Sequence, residues 1–221
     1  MRESYHHQLD AVLQRMVQMA DLVSIAVGKA SAALLEADIS KAEEVITDDA
    51  QLDAMHEELE FACLSLLARQ APVAGELRTI VSAIRVVFEL ARMGDLSAHI
   101  AKISRLRYPN SAVPEALREN FVTMSQIAQT MIDLARHTLA ERDAKAAEGL
   151  AIDDEKMDQL RRIQFQILLS EDWDEGVEKA VDTALLGRYY ERLADHAVAV
   201  GRRVIYIITG EVPQGEEWPN A

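Results

Sequence analysis

The sequence predicts an all-α protein built as two tandem antiparallel three-helix bundles. Three observations carry this. Gly and Pro are few, 9 and 5 in 221 residues, while apolar residues make up 49%, an ordinary globular share with helix-forming composition. Apolar residues recur at alternating steps of four and three over long stretches, the mark of a helical seam. The pattern of helices, breaks and acids then occurs a second time.

The first helix carries the seam Leu9, Leu13, Met16, Ala20, Val23, Val27, Ala30 and Leu34. Ser40 and Glu43 have the spacing of a capping box, so a second helix is expected from about residue 40 to Arg69, stopped by Pro72. A third runs from about residue 73 to Arg107 and ends at "YPN", with Lys102, Arg105 and Arg107 suited to the negative end of its dipole. Pro114 is placed to open a fourth helix, whose seam is Leu117, Phe121, Met124, Ala128, Met131, Ala135 and Thr138. A fifth spans about Asp143–Leu169. After the break "SEDWDEG", a sixth runs from about Asp174 to Thr209 and is closed by Gly210. This divides the chain into repeats at 1–109 and 110–211, with a loose polar tail at 212–221.

The duplication can be followed by residue. Asp38, Ala42, Glu43, Asp48, Asp49 and Asp53 recur as Asp143, Ala147, Glu148, Asp153, Asp154 and Asp158, and Arg92 and Asp95 recur as Arg192 and Asp195. The net charge of −14 argues against a phosphate-backbone binder and against adsorption to an anionic membrane. Cys63, in the apolar run "FACLSLLA", is expected to be a buried core thiol. No stretch approaches 18 unbroken apolar residues and the N-terminus has no signal-peptide h-region, so a cytoplasmic protein is expected.

The candidate site is a set of carboxylate pairs. Asp49 and Asp53, Asp154 and Asp158, and Glu191 and Asp195 each lie four apart, hence on one helix face. Asp95 lacks such a partner because Ala91 stands there. Glu89, six residues from Asp95, sits about 120° round the helix and does not replace it. Antiparallel packing brings the pairs of neighbouring helices together, and four converging carboxylates need a counter-charge. Oxygen-rich clusters suit Mg, Mn, Fe or Zn. Local ion pairs of Arg188 with Glu191 and of Arg192 with Asp195 are the competing reading. His99 is a candidate nitrogen ligand. A carboxylate-bridged oxidase is disfavoured, since no Glu-x-x-His occurs and Asp53 with His56 is the nearest approach. There is no Gly-rich phosphate loop, and no basic pocket for phosphate is evident.

The repeated unit, with "ARMGDLSAHIAKI" and "ERLADHAVAVGRRVIYIITG", resembles the PhoU family of bacterial phosphate-signalling regulators across residues 3–211, and its wording is similar to actinobacterial members. "PVAGELR" resembles the family element opening the third helix, where Arg78 is expected in a structural ion pair or a partner contact. The resemblance implies a regulator rather than an enzyme. It would restrain phosphate uptake and keep phosphate-starvation genes off by contacting the ATPase subunit of the phosphate ABC transporter and the cytoplasmic domain of a sensor histidine kinase. It also implies a homodimer associated only peripherally with membrane complexes. The metal ligands it implies, for iron, zinc or another divalent ion, are Asp49, Asp53, Asp95, Asp154, Asp158, Glu191 and Asp195. The departures at Ala91, His99 and Ala199 bear on whether metal binds at all. A metal-storage or scaffold protein with no signalling role is the alternative.

Overall fold

The computed structural model describes residues 2–69, 72 and 74–211; the tail at 212–221 lies outside the described residues. Within them the elements are α1 (Arg2–Glu36), α2 (Ile39–Arg69), α3 (Gly75–Arg107), a 3-10 turn (Glu115–Leu117), α4 (Arg118–Glu141), α5 (Ala144–Leu168) and α6 (Gly176–Thr209). Helices α2, α3, α5 and α6 lie within two residues of their expected bounds, and at the start of α4 a 3-10 turn after Pro114 comes first.

Both seams face inward. Met16, Val23, Val27 and Ala30 of α1 and Phe121, Met131 and Ala135 of α4 are at most 1% exposed. Burying a residue of this kind is worth about 1.5–3 kcal/mol for the larger side chains. The three helices of each repeat pack on one another, but the repeats are not separate: α3 lies along α6 and α1 against α4, while among the described residues α2 packs chiefly on α1 and α3, and α5 on α4 and α6. The apolar residues of all six helices form one core. The seams of α1 and α4 are thus buried within the chain itself. The Tyr190 hydroxyl, deep in this core, donates to Ser31 Oγ at 2.9 Å and ties α6 to α1.

The expected capping box is corrected. Helix α2 begins before Ser40, which already lies in its first turn. Asp38 is the cap, its Oδ1 accepting from the backbone N–H of Ser40 at 3.0 Å and Lys41 at 3.1 Å. Asp143 does the same for α5, accepting from Lys145 at 2.9 Å and Ala146 at 3.1 Å. A carboxylate here satisfies first-turn donors and suits the positive end of the helix. At the other end of α6, Gly210 takes φ 78°, the left-handed turn that ends a helix.

Within Tyr5–Glu36 of α1 an 18-residue window reaches mean hydropathy 1.3, enough by length and composition alone to cross a membrane, as the core helix of a soluble protein also can. The apolar seam of α1 is instead covered by α3 and α4. Cys63 is buried, and burial pushes its thiol up to about 11, which leaves it protonated and unreactive at neutral pH.

Candidate functional site

The acidic pairs lie where the outer helix of each repeat meets an inner one. In the first repeat the approach is close at Gly94, where a Cβ would stand 2.7 Å from Leu52 Cδ1 and 3.6 Å from Asp49 Oδ1. Glycine thus lets α3 settle against α2 with Asp49 at the seam. Burial, then the nearby charges of Asp95 and Asp53, raise the Asp49 carboxyl above the ordinary aspartate range, against the opposing pull of Lys102 and His99.

The second repeat repeats this electrostatics with more acids. Burial, then Asp195 and Asp158, raise Asp154, with Glu191 adding and Arg202 opposing. Burial likewise raises Asp195, with Arg192 opposing and Glu191 adding. The acids of α2 with α3, and of α5 with α6, therefore feel one another across the helix pair. Asp53, Asp158 and Asp195 are exposed, while Asp49, Asp95, Asp154 and Glu191 are half-buried.

The counter-charge is arginine. Arg188 Nη1 lies 2.7 Å from Glu191 Oε1, and Arg161 Nε, reaching from α5, lies 3.2 Å from Glu191 Oε2. Arg192 approaches Asp195 at 3.4 Å, and Arg92 approaches Asp95 at 2.6 Å. The Arg161 side chain is only 12% exposed; it also donates to Gln164 Oε1 at 2.8 Å and stacks on Phe165, 4.2 Å from the ring centroid. The i to i+3 pairs are legible in the sequence. Arg161 is not, because its partner lies on another helix thirty positions on.

Two further features carry no signal in local spacing. Glu89 takes no role beside Asp95. It meets His196 Nδ1 at 2.5 Å across the α3–α6 contact, and the His196 side chain is 8% exposed. Arg107 binds both Asp182 and Glu178 at the start of α6, each at 2.5 Å. Both features link the repeats. His99, the candidate nitrogen ligand, is exposed and stacks on Tyr189 with centroids 5.4 Å apart.

In place of the ion pair, one of the two roles expected of it, Arg78 makes a helix-end contact. It donates from Nη2 to the Ile207 carbonyl at 3.3 Å and lies over the Tyr206 ring at 5.8 Å. It serves the last turn of α6, whose orphan carbonyls form the negative end of the dipole, rather than an acid.

For a metal, the donor chemistry is right and the arrangement is not. Carboxylate oxygens suit a hard cation, but among the described residues no three His, Cys, Asp or Glu side chains gather as a ligand set. Glu191 and Asp195 are turned to arginines instead. What the site offers as it stands is two acidic faces with partly buried, mutually repelling carboxylates.

The sequence matches the PhoU domain family twice, over residues 16–104 and 121–204. It is 46% identical over 217 residues, 98% of each chain, to the phosphate-specific transport system accessory protein PhoU homolog 1 of Mycobacterium tuberculosis. It is 43% identical to homolog 2 of the same organism, over 96% of this chain and all of that one. The crystal structure of PhoU from Pseudomonas aeruginosa superimposes with a TM-score of 0.85 at 26% identity, covering 94% of this chain and 100% of that one. The phosphate transport system regulatory protein PhoU from Streptococcus pneumoniae gives 0.84 at 26% identity, over 95% and 99% of the two chains. A duplicated three-helix unit with an acidic pair on each outer helix, matched twice by one domain family along nearly the whole chain, makes this an actinobacterial-like member of the PhoU family.

Proposed function

We infer that the chain is a regulatory accessory of phosphate transport, a binding protein rather than an enzyme. It restrains phosphate uptake and holds phosphate-starvation signalling off. Its partners are the ATPase subunit of a phosphate ABC transporter and the cytoplasmic domain of a sensor histidine kinase, met in the cytoplasm as peripheral contacts. The relatives' names support the transport role. One observation supports the mode of action: both repeats present carboxyls raised by burial and by one another, at Asp49 and at Asp154. A basic partner surface relieves that repulsion on docking, and charge complementarity of this kind sets orientation and association rate.

No step of this reading runs through a metal. The raised Asp154 carboxyl does favour a second reading, in which a divalent cation such as iron or zinc displaces the arginines from Glu191 and Asp195. The storage alternative has less support, since the ligands are not gathered.

The experiment is a pull-down of the purified chain against the transporter ATPase and the kinase's cytoplasmic domain, with metal content measured in parallel. Binding to either partner, weakened in the Asp154→Ala variant and by added salt, is the expected result. No binding with or without metal would sink the docking mechanism. Sedimentation of the same sample tests whether the chain is the homodimer its family resemblance implies.

A further inference from the structure

We propose that the tip of the α5–α6 hairpin is a docking groove for a basic amphipathic helix supplied by a partner protein, which takes the place that the opening turns of α1 fill in the first repeat. This goes beyond the acidic-face mechanism and does not depend on it.

The two repeats differ in the length of their first helix. Helix α1 has 35 residues and α4 has 24. In the register set by Asp38 and Asp143, Arg118 at the start of α4 falls opposite Leu13 of α1. The turns of α1 before Leu13 therefore have no α-helical counterpart in the second repeat. In the first repeat those turns are used: Tyr5, Leu9 and Val12 are buried in the core, and His6 reaches Glu76 at the start of α3 at 3.8 Å.

The consequence shows at equivalent positions. Cys63 and Ile80 are fully buried in the first repeat. Leu168 and Ala180, which occupy their places in the second, are only partly buried. Around them Leu169 is 82% and Val177 80% exposed, and Phe165 and Val181 are exposed as well. Together with Trp173 they line an open groove of about 480 Å³. On α5 the apolar positions step by three and four, and so do those on α6. Two such faces side by side make the channel into which a third helix packs, at about 8–10 Å from each axis. An apolar surface of this kind left open marks an interaction site.

The rim says what fits. Glu171, Asp172 and Asp174 on the linking segment are exposed, and none is in an ion pair among the described residues. The nearest cation in sequence, Lys179, is engaged by Glu175, and Arg107 is engaged by Glu178 and Asp182. A helix with an apolar face flanked by Lys or Arg complements this groove in both respects. A second copy of this chain would bring one acidic rim against another. Residues 212–221 are not that occupant: they follow the far end of α6, which at 34 residues is roughly 50 Å long, and ten residues span at most roughly 35 Å.

Trp173 makes the test direct. In the full-length Trp218→Phe variant, Trp173 is the one tryptophan left of the two in the sequence. Its emission is followed while a synthetic helical peptide is added, with Leu at i, i+4 and i+7 and Lys elsewhere. Saturable binding with a blue shift is expected. It should weaken at least about tenfold in Leu169→Asp and Val177→Asp, as when an anchor at the centre of an interface is removed. It should also weaken in the triple variant Glu171→Gln, Asp172→Asn, Asp174→Asn. Because Leu169 and Val177 are largely exposed, circular dichroism should show both single variants fully folded. Four outcomes would overturn the proposal. The first is a peptide that does not bind. The second is equal binding to the groove variants, which puts the peptide on the acidic faces. A Leu/Glu peptide binding as well removes the charge argument. A wild-type dimer that dissociates in Val177→Asp makes the occupant a second copy.

Discussion

The two repeats share a plan and solve it differently. In the first, α1 runs the full length of its hairpin, the α3 acid at the duplicated position is replaced by Ala91, and Asp95 has one arginine partner. In the second, α4 is short, the acid is kept as Glu191, and three arginines surround the pair it makes with Asp195. The second repeat thus carries more charge at its acidic pair, and the tip of its hairpin lacks the helical turns that α1 supplies in the first. Removing one carboxylate removes the need for the buried arginine: position 56, the equivalent of Arg161, is a histidine. Duplication preserved the helices, whose seams the core requires, and let the faces diverge.

The largest effect tests whether this difference extends to folding. Phe121 and Met16 are equivalent residues, both fully buried. Replacing either by alanine should cost about 3–5 kcal/mol for Phe121 and about 2–5 kcal/mol for Met16. Since α1 packs on α4 and α3 on α6 in one core, both variants should melt in a single calorimetric transition. Two transitions, with Met16→Ala lowering only one of them, would mean that the proposed units 1–109 and 110–211 fold independently.

The next effect sharpens the comparison at the acidic faces. Arg161→Ala removes a nearly buried guanidinium from Glu191 and Gln164. Loss of a charged partner in such a place costs about 1–3 kcal/mol. The matching change in the first repeat, His56→Ala, should cost far less in denaturant titrations. Arg161→Ala together with Arg188→Ala frees Glu191, so zinc or iron retained after dialysis should rise above that of the wild-type chain. Unchanged metal content would count against the second, metal-binding reading.

Smaller again is the cap. Asp143→Ala should lower stability by about 1 kcal/mol, and Asp143→Asn, which keeps the acceptor, should recover most of it. If both variants lose equally, the contribution is charge near the helix end rather than the hydrogen bonds to Lys145 and Ala146.

What the sequence makes legible divides along the same physical line. Helix bounds, seams, the Gly210 stop and the doubled acidic pairs all follow from spacing along one helix. They are read from residues three, four or seven apart. The Asp38 cap is missed by two positions because Ser40 offers a competing pattern with the same chemistry. Arg161 with Glu191, Glu89 with His196, and Arg107 with Asp182 join residues on different helices, and their partners depend on how α3, α5 and α6 cross. The shared core is hidden for the same reason. A seam says that a helix is buried and not against which neighbour, so two separate bundles and one fused one give the same pattern.

The smallest effect has a sign that separates the acidic faces from ordinary surface charge. Asp49 and Asp154 are raised in the folded chain, by burial first and neighbouring carboxylates second. A carboxyl whose folded value lies above its unfolded one binds protons more readily when folded. Stability from such a group therefore falls as pH rises from the ordinary aspartate value through the raised one, and stays lower above it. Asp154→Asn should stabilise the chain at neutral pH by about 0.5 kcal/mol, a small figure because the group is partly in water. That gain should vanish as the pH is lowered through the raised value to the ordinary one. Asp49→Asn should behave alike. Asp195→Asn should gain less, because Arg192 and Arg188 already oppose its rise. Melting temperatures of the three variants between pH 4 and pH 8 decide the matter. Destabilisation by Asp154→Asn at neutral pH would mean that its charge is used within the fold, and would remove the repulsion on which docking to a basic partner is argued to draw.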